Sequence, residues 1–337
     1  MIHTFELSNQ ITLSEARLLD EKLTAFFNAK SIFESKSSTK FYGHYSKIPF
    51  KLGIRTIDAK GGIFKYLVLT INPMKVMEKD YINVSSIDRA CESLDEVKKV
   101  FYDMGIGELF PMLLLSRIDY AFDVHFKSQE EVESYIKLIK RGGIPNRFKV
   151  KTWWDNVSHR QTTYIDSVYM QNSSATINFY NKYNELACKA SDFIDCEKAR
   201  GILRLEVQCK GRKVQDLKKN YKFDARTPTN YLDEQIARRV VTSCLKGIVR
   251  EGDYYKLRTA KEIILNSDIQ NKYKREIIAF ITEVNDVRSL YKVKMSGKYS
   301  NTDFNRILRQ LSSINVNPVT IPSSWSYSYL PNLLTLI

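Results

Sequence analysis

Polar and apolar residues alternate from Ser116 to Phe126, and this alternation constrains the fold more than any other feature of the chain. Successive side chains of a β-strand point to opposite faces, so the pattern predicts a strand over 113–126 with one apolar face and one polar face. Ser128 and Glu131 then form a capping-box signature, which predicts a helix that runs to about Arg141. A strand followed by a helix, with further strands later in the chain, indicates an α+β or mixed sheet rather than a helical bundle.

Two later segments have the same alternation. Ala175–Leu186 begins as a strand, and a period of two places Tyr180 and Lys182 on one face. Gly201–Lys210 is predicted as another strand, with Arg204 and Glu206 on one face. The polar face of the first strand carries Asp119, Ala121, Asp123 and His125.

The order of predicted elements indicates an α+β fold, with a mixed or antiparallel sheet flanked by helices, followed by a mainly helical C-terminal domain. The helices predicted beyond the last strand are Pro228–Arg250, Thr259–Asn266, Gln270–Tyr291 and Thr302–Ser312. We therefore predict a first domain over 1–215 and a second over 216–337. The uncharged tail from Val319 is expected to pack onto the rest of the protein.

Positive charge is concentrated in one part of the chain. The 337 residues contain 52 Lys plus Arg and 38 Asp plus Glu, a net charge of +14. Residues 1–197 contribute +1, residues 198–310 contribute +13, and the remaining residues contribute none. A basic region of this kind favours a polyanion-binding surface, although surface charge that serves only solubility is the alternative.

Other features indicate a reduced, cytoplasmic protein that does not enter a membrane. No apolar run is long enough to span a bilayer, and the amino terminus lacks the basic and apolar segments of a secretory signal. The five cysteines are odd in number and have no CxxC spacing, which argues against structural disulfides and structural zinc.

If the three strands are neighbours, their polar faces predict a phosphodiester-cleaving site. Carboxylate and imidazole groups would hold Mg²⁺ or Mn²⁺, and the Tyr180 hydroxyl beside Lys182 would attack phosphorus. The predicted metal ligands are Asp119, Glu206, Asp123 and His125. The predicted DNA contacts are Arg117, Arg204, Lys210, Arg212 and Lys213, with Trp154 stacking on a base.

Each of these residues also has an ordinary structural interpretation. The aspartates could pair with Arg117 or Arg204, and His125 could be a hydrogen-bonded structural residue. Tyr180 could be a half-buried aromatic of an amphipathic strand.

Five ordered segments resemble the gene II replication proteins of filamentous phages and the related initiators of rolling-circle plasmids. They are His44–Lys51, Asn72–Val76, Ser116–Asp119, Phe179–Lys182 and Arg204–Glu206, with a weaker similarity over Phe304–Pro322. Arg-Ile-Asp-x-Ala-x-Asp and Tyr-Asn-Lys carry most of the resemblance, which spans about residues 40–215.

This resemblance implies a fold like that of the HUH endonucleases and an enzyme that nicks and rejoins origin DNA through a phosphotyrosine. Tyr180 falls at the position of the family's nucleophile, and Asp119 and Glu206 fall at the positions of its acidic residues. The family's relatives bind metal through a His-hydrophobe-His strand, whereas this chain has Asp123-Val124-His125, so a histidine pair is absent. Tyr183 is a candidate second tyrosine, although packing is its favoured interpretation.

Two non-enzymatic functions remain open at this point. One is a sequence-specific DNA-binding regulator of replication that lacks catalysis. The other is a scaffold whose basic helices bind RNA or acidic partners. Origin DNA is the expected partner of the enzyme. A host replication helicase and a host polymerase are candidates for further partners.

Overall fold

The computed structural model describes residues 1–27, 40–41, 50–59, 62–78, 82–155, 160–188 and 196–337. Of the segments that carry the family resemblance, positions 44–49 lie outside these residues. The strands are β1 (Ile2–Ile11), β2 (Lys40–Phe41), β3 (Phe50–Ala59), β4 (Gly62–Ile71), β5 (Leu114–His125), β6 (Lys149–Val150), β7 (Thr152–Asp155), β8 (Arg160–Thr163), β9 (Ser167–Gln171), β10 (Ala175–Asn181), β11 (Ile202–Cys209), β12 (Tyr254–Tyr255) and β13 (Tyr329–Leu330).

Helices follow or separate these strands. They are α1 (Leu13–Phe27), α2 (Pro73–Met77), α3 (Ile87–Asp103), α4 (Gln129–Arg141), α5 (Lys182–Cys188), α6 (Gly211–Tyr221), α7 (Glu234–Val249), α8 (Leu257–Asn266), α9 (Asn271–Val287), α10 (Leu290–Met295) and α11 (Asn301–Ser313). Short 3₁₀ helices occupy Gly107–Met112, Cys196–Ala199, Pro228–Tyr231 and Leu333–Thr335.

Nine strands form the main sheet of the described residues, in the order β2-β3-β4-β1-β5-β11-β10-β9-β6. The strand pairs whose register is described are antiparallel. In the β3–β4 hairpin, Phe50 lies opposite Ile71 and Ala59 lies opposite Gly62. The predicted α+β fold, with a large sheet flanked by helices and a helical C-terminal region, is confirmed.

Side-chain caps determine where two of the helices begin. The Ser86 hydroxyl accepts a hydrogen bond from the Arg89 amide and starts α3. Ser128 and Glu131 form both halves of the predicted capping box at the start of α4. These bonds satisfy backbone N–H groups that the first helical turn leaves without partners.

Two helices predicted as continuous are interrupted, so those predictions were wrong. Pro228–Arg250 divides into a 3₁₀ turn and α7, because the Asp233 carboxylate accepts a hydrogen bond from the Ile236 amide at 2.8 Å and starts a new helix. Gln270–Tyr291 divides at Arg288, whose φ of 54° is left-handed and ends α9. The helix α6 was not predicted.

Backbone contacts divide the chain into two units. Unit 1 contains residues 1–122, 173–176 and 206–239, and unit 2 contains residues 123–172, 177–205 and 240–337. This division differs from the predicted boundary near residue 215, because residues 206–239 belong with the N-terminal segments. Tyr231 shows why: its carbonyl accepts a hydrogen bond from the Tyr120 hydroxyl, and its own hydroxyl donates to the Val214 carbonyl. A division of roles between 1–215 and 216–337 stays a prediction.

Each unit has its own aromatic core. In unit 1, Phe101 contacts Phe50 and Phe110 at ring-centroid distances of 6.4 and 5.2 Å. In unit 2, Tyr135 stacks on Phe126 at 4.6 Å, and Phe280 meets Phe304 edge to face at 5.5 Å.

The uncharged C-terminal tail packs within unit 2, as predicted. Just before the tail, Asn317 Nδ2 donates to the Val249 carbonyl at 2.9 Å, and within the tail the Asn332 amide donates to Asp253 Oδ1 at 2.8 Å. Gly252 permits this close approach, because its φ is +90° and a Cβ there would lie 2.4 Å from the Val316 carbonyl carbon.

Candidate active site

A β-bulge at the start of β1 brings His3 to the polar face of the sheet. Ile2 pairs with Tyr120 and Thr4 pairs with Asp119, so His3 is the extra residue between two paired positions. A bulge interrupts the two-residue alternation of a strand and redirects its side chains. Ile2 and Phe5, three positions apart, are both fully buried, and His3 lies beside the carboxylates of unit 1.

His3, Asp119 and Glu206 form a compact group in unit 1. One potential ligand atom from each lies within 4.8 Å of the others, and Asp119 and Glu206 are buried. His3 Nδ1 is 3.2 Å from Glu206 Oε2. Because the geometry is not that of a hydrogen bond, this buried nitrogen has no hydrogen-bond partner among the described residues.

This donor set fits a divalent cation. Two carboxylates and an imidazole nitrogen are ligands that divalent metals bind in proteins, and a bound cation would give His3 Nδ1 the partner that it lacks. Two of the four predicted ligands, Asp119 and Glu206, are brought together, and His3 is a further candidate ligand that the sequence analysis missed. Strict alternation would have placed His3 on the face of Phe5, and no signal in the sequence marks the bulge.

Arg117 fixes the orientation of Asp119. Its Nε donates to Asp119 Oδ1 at 2.9 Å, and its Nη2 donates to the other carboxylate oxygen. With its amide oxygen facing the guanidinium, Gln208 accepts from Arg117 Nη2 at 2.6 Å and from Nε at 3.0 Å. Arg117 therefore orients a carboxylate of the site, and the DNA contact predicted for it stays a prediction.

Burial and neighbouring charges together set the pKa values of Asp119 and Arg117. Burial raises the pKa of Asp119 to about 6, the Arg117 guanidinium opposes that shift, and the Glu206 charge adds to it. Burial lowers the pKa of Arg117, but the carboxylates of Asp119, Glu6 and Glu206 outweigh it and leave that pKa raised. The negative charge on Asp119 is thus only partly compensated, which favours the binding of a cation.

Asp123 and Arg204 form a buried ion pair in unit 2. Arg204 Nε donates to Asp123 Oδ1 at 2.7 Å, and Nη2 donates to Oδ2 at 2.8 Å. The Arg204 side chain is 0% exposed, so the predicted DNA contact is wrong for this residue. Both Asp123 oxygens bind the guanidinium, and neither Asp123 nor the exposed His125 belongs to the group formed by His3, Asp119 and Glu206. The predicted metal ligation by these two residues is corrected accordingly.

Breaking this ion pair is expected to destabilise the protein. We expect Arg204→Met to lower the free energy of unfolding by about 3 to 5 kcal/mol, because it leaves Asp123 charged and buried without its partner. Chemical denaturation measures the change. Arg200→Met is the matched control: Arg200 pairs with Glu197 on the surface, where both side chains are more than half exposed, so its loss should cost about 1 kcal/mol or less.

The double variant Arg204→Met/Asp123→Leu shows whether the stability is lost because a buried charge is unpaired or because packing is poorer. It removes both buried charges together, so it should recover much of the stability that Arg204→Met loses. Equal unfolding free energies for Arg204→Met and Arg200→Met would contradict this account of the pair.

Tyr180 lies near the end of β10 and is 6% exposed. It lines a cleft of about 380 Å³ in unit 2, which we call the Tyr180 cleft. Its other lining residues include Lys151, Asp166, Asn178 and Glu185. The cleft gives Tyr180 a route to solvent and space for a substrate beside its ring.

Lys182 does not share a strand face with Tyr180, so this prediction was wrong. The strand ends at Asn181, whose side-chain oxygen accepts a hydrogen bond from the Asn184 amide at 3.2 Å, and α5 begins at Lys182. Lys182 is 3% exposed, and its Nζ donates to Glu185 Oε2 at 2.8 Å. Asparagine is a preferred helix cap, so Asn181 was the signal that could have ended the strand prediction.

Tyr183, in α5, is held by Glu197 of the following 3₁₀ helix and by Arg200, which comes directly after that helix. Its hydroxyl donates to Glu197 Oε1 at 3.2 Å, and the Arg200 guanidinium lies 4.9 Å from the centre of its ring. The hydrogen bond to Glu197 raises the pKa of Tyr183, which disfavours the phenolate that a nucleophile requires.

Three predicted DNA contacts cluster where α6 begins. Lys210 is the residue before the helix, and Arg212 and Lys213 lie in its first turn, with Arg212 exposed. Their contact with DNA stays a prediction. The side chain of Trp154 lies outside what the structure describes, so stacking by this residue stays a prediction as well.

Comparisons with known proteins give one family match. A family model for the N-terminal part of the gene II replication-associated protein matches residues 20–230. Among solved structures, the chain is similar to a rolling circle replication initiator protein from Geobacillus stearothermophilus, with 11% identity, coverage of 96% of this chain and 98% of that chain, and a TM-score of 0.34. No curated protein matches the chain in a sequence search. Within the described parts of the chain, no helix has the length and apolar character needed to cross a bilayer.

Proposed function

This chain belongs to the family of gene II replication-associated proteins, and from that membership we propose that it nicks and rejoins one strand of a replication origin. The matched region contains Asp119, Tyr180 and Glu206, the residues at which the motif resemblance places the family's acidic groups and nucleophile. The observation that carries the proposal is the group formed by His3, Asp119 and Glu206, because its three donor atoms lie close enough to hold one divalent cation and two of its members are those acidic positions.

Tyr180 is the nucleophile in this proposal. Its hydroxyl oxygen attacks the phosphorus of the scissile phosphodiester and loses its proton. The bond to the 3′ oxygen of the preceding nucleotide breaks, and that oxygen takes a proton to become the 3′ hydroxyl that primes synthesis. The 5′ phosphate stays on Tyr180 as a phosphotyrosine, so a 3′ hydroxyl can later reverse the step and close the strand.

His3, Asp119 and Glu206 would hold the divalent cation, Mg²⁺ or Mn²⁺. When bound, such a cation polarises a phosphodiester oxygen and stabilises the negative charge of the transition state. The imidazole of His3 favours Mn²⁺ over Mg²⁺, because magnesium prefers ligand sets made of oxygen alone. Arg117 keeps the Asp119 carboxylate in one orientation.

The test is a covalent-adduct assay on supercoiled DNA that carries the origin. Incubation with Mn²⁺ should convert the DNA to nicked circles with the protein attached at the 5′ end, and EDTA should prevent the conversion. If wild-type protein binds origin DNA specifically and never forms an adduct, the enzyme proposal fails and the non-catalytic replication regulator takes its place.

The basic region supports DNA binding by the same chain. Residues 198–310 carry a net charge of +13. A protein that neutralises phosphates with Lys and Arg releases counterions, so its affinity falls as salt rises. We expect binding to weaken roughly tenfold or more between about 50 and 200 mM salt, as measured by fluorescence anisotropy. An affinity that does not change over this range would contradict electrostatic binding.

The scaffold alternative gives a different result in the same assay. A protein whose basic helices bind any acidic polymer would bind origin DNA and unrelated DNA of equal length with the same affinity. A preference for origin DNA, which the family membership leads us to expect, would exclude that alternative.

A further inference from the structure

A second cavity in unit 2 adjoins the Tyr180 cleft. We call this cavity of about 250 Å³ the lysine-tyrosine pocket, after the residues that distinguish it. They are Lys140, Lys151, Lys292, Tyr164, Tyr169 and Tyr291. Lys151, Tyr164 and Tyr169 also line the Tyr180 cleft, so the two cavities share a wall.

The pocket is positively charged. No aspartate or glutamate lines it, and none of its three lysines forms an ion pair with a carboxylate among the described residues. Lys140 donates to the Tyr164 and Ile165 carbonyls, which holds its ammonium at the wall without neutralising it, and Lys292 is exposed. Asp166 and Glu185 line the Tyr180 cleft and not this pocket, so the pocket has the more positive lining, even though Asp166 lies close enough to act electrostatically on Lys140.

The pocket is also aromatic. Tyr164 and Tyr169 have ring centres 5.8 Å apart, and Lys151 Nζ lies 4.5 Å from the centre of the Tyr169 ring. Ammonium groups interleaved with aromatic rings are the combination that binds single-stranded nucleic acid, because the cations contact the backbone and the rings stack on bases. Ligand pockets for larger molecules begin at about 300 Å³, so this one suits a single base with its sugar and phosphate.

We propose that the lysine-tyrosine pocket binds one nucleotide of the cleaved strand, next to the phosphodiester that Tyr180 attacks. The inference rests on the proposed function, since the shared wall with the Tyr180 cleft identifies which strand reaches the pocket. The phosphate lies against the lysines and the base stacks on a tyrosine. The pocket therefore fixes the position of the strand relative to the nucleophile.

Two residues that line the pocket but not the Tyr180 cleft give the cleanest test. Lys292→Ala removes a phosphate contact, and Tyr291→Leu removes an aromatic ring while keeping an apolar side chain. We expect each variant to bind a single-stranded oligonucleotide spanning the nick site about tenfold more weakly than wild type. Lys292→Ala should also reduce the slope of log affinity against log salt by about one, whereas Tyr291→Leu should leave that slope unchanged.

Lys294→Ala is the matched control, because it removes the same charge from the same helix at a position that does not line the pocket. Its single-strand affinity should stay close to that of wild type. Equal losses for Lys292→Ala and Lys294→Ala would show that only the general charge of α10 matters, and would overturn the pocket.

Photocrosslinking gives a readout that does not depend on any variant. Wild-type protein is irradiated with oligonucleotides that carry 5-iododeoxyuridine at each position near the nick in turn. At one position, the crosslinked peptide should contain Tyr164, Tyr169 or Tyr291. Crosslinks confined to other peptides at every position would overturn the inference.

The two proposals fail separately. If wild type forms the covalent adduct while Lys292→Ala and Tyr291→Leu bind like wild type, the pocket is overturned and the nicking function stands. If wild type binds the oligonucleotide without ever forming the adduct, the nicking function is overturned, and weakened binding by the two variants would still support a nucleotide in the pocket.

Discussion

Tyr180→Phe should form no detectable covalent adduct with origin DNA and should reduce nicking by about 10³-fold or more, because the substitution removes the attacking oxygen. The phenylalanine ring keeps the shape of a side chain that is 6% exposed, so the variant should fold normally. It should also bind origin DNA with the affinity of wild type. Adducts are measured by gel electrophoresis of labelled DNA under denaturing conditions, and binding is measured on the same preparations.

Tyr183→Phe is the control for this experiment. Tyr183 lies three residues away, and its hydroxyl contacts Glu197 and does not line the Tyr180 cleft. We expect this variant to form the adduct at a rate close to that of wild type. An adduct that persists in Tyr180→Phe and disappears in Tyr183→Phe would move the nucleophile to Tyr183.

Local patterns in the sequence were sufficient for much of the fold. The β5 strand and the capping box of α4 depend on residues only a few positions apart, and both were predicted. The strand β11 was predicted within a residue at each end, although most of its residues are buried on both faces. Elements of this kind depend on periodicity and capping, which a single sequence displays.

Contacts distant in sequence could not be predicted in the same way. The α6 helix has four basic residues and one acidic residue among its eleven, and it packs through Val214 and Leu217, which are buried. The interpretation that the aspartates of β5 pair with arginines was correct for both of them, with Arg117 for Asp119 and with Arg204 for Asp123. In the sequence, alternation makes the two pairs look alike. Only the structure shows that Asp119 lies together with His3 and Glu206, whereas Asp123 does not.

The position of His3 could be predicted neither from the alternation of residues in β1 nor from similarity to the family. The bulge that redirects it is a pairing irregularity between β1 and β5, which no local pattern in β1 announces. Residue 3 also precedes the region that matches the family model. His3 is therefore a candidate ligand that only the register of the sheet reveals, and its proposed role requires a direct test.

Removing a ligand should abolish metal binding and catalysis together. We expect Mn²⁺ at about 100 times its dissociation constant to stabilise wild type by about 2.7 kcal/mol, which appears as a rise in the thermal midpoint. Asp119→Asn should lose this rise, because a neutral amide is a poorer ligand than a carboxylate. Nicking should fall by about 10³-fold, since a bound cation contributes several kcal/mol of transition-state stabilisation.

His3→Ala tests the ligand that only the structure identified. It should weaken Mn²⁺ binding while Asp119 and Glu206 remain, so a higher Mn²⁺ concentration should restore part of the nicking activity. Glu6→Gln is the matched control: Glu6 is a buried carboxylate of the same strand, it pairs with Arg55, and it is not a member of the group formed by His3, Asp119 and Glu206. Its midpoint without metal will differ from that of wild type, so the quantity compared is the rise on adding Mn²⁺. A full rise in Glu6→Gln together with no rise in Asp119→Asn would assign the cation to the proposed group, whereas a full rise in Asp119→Asn would place it elsewhere.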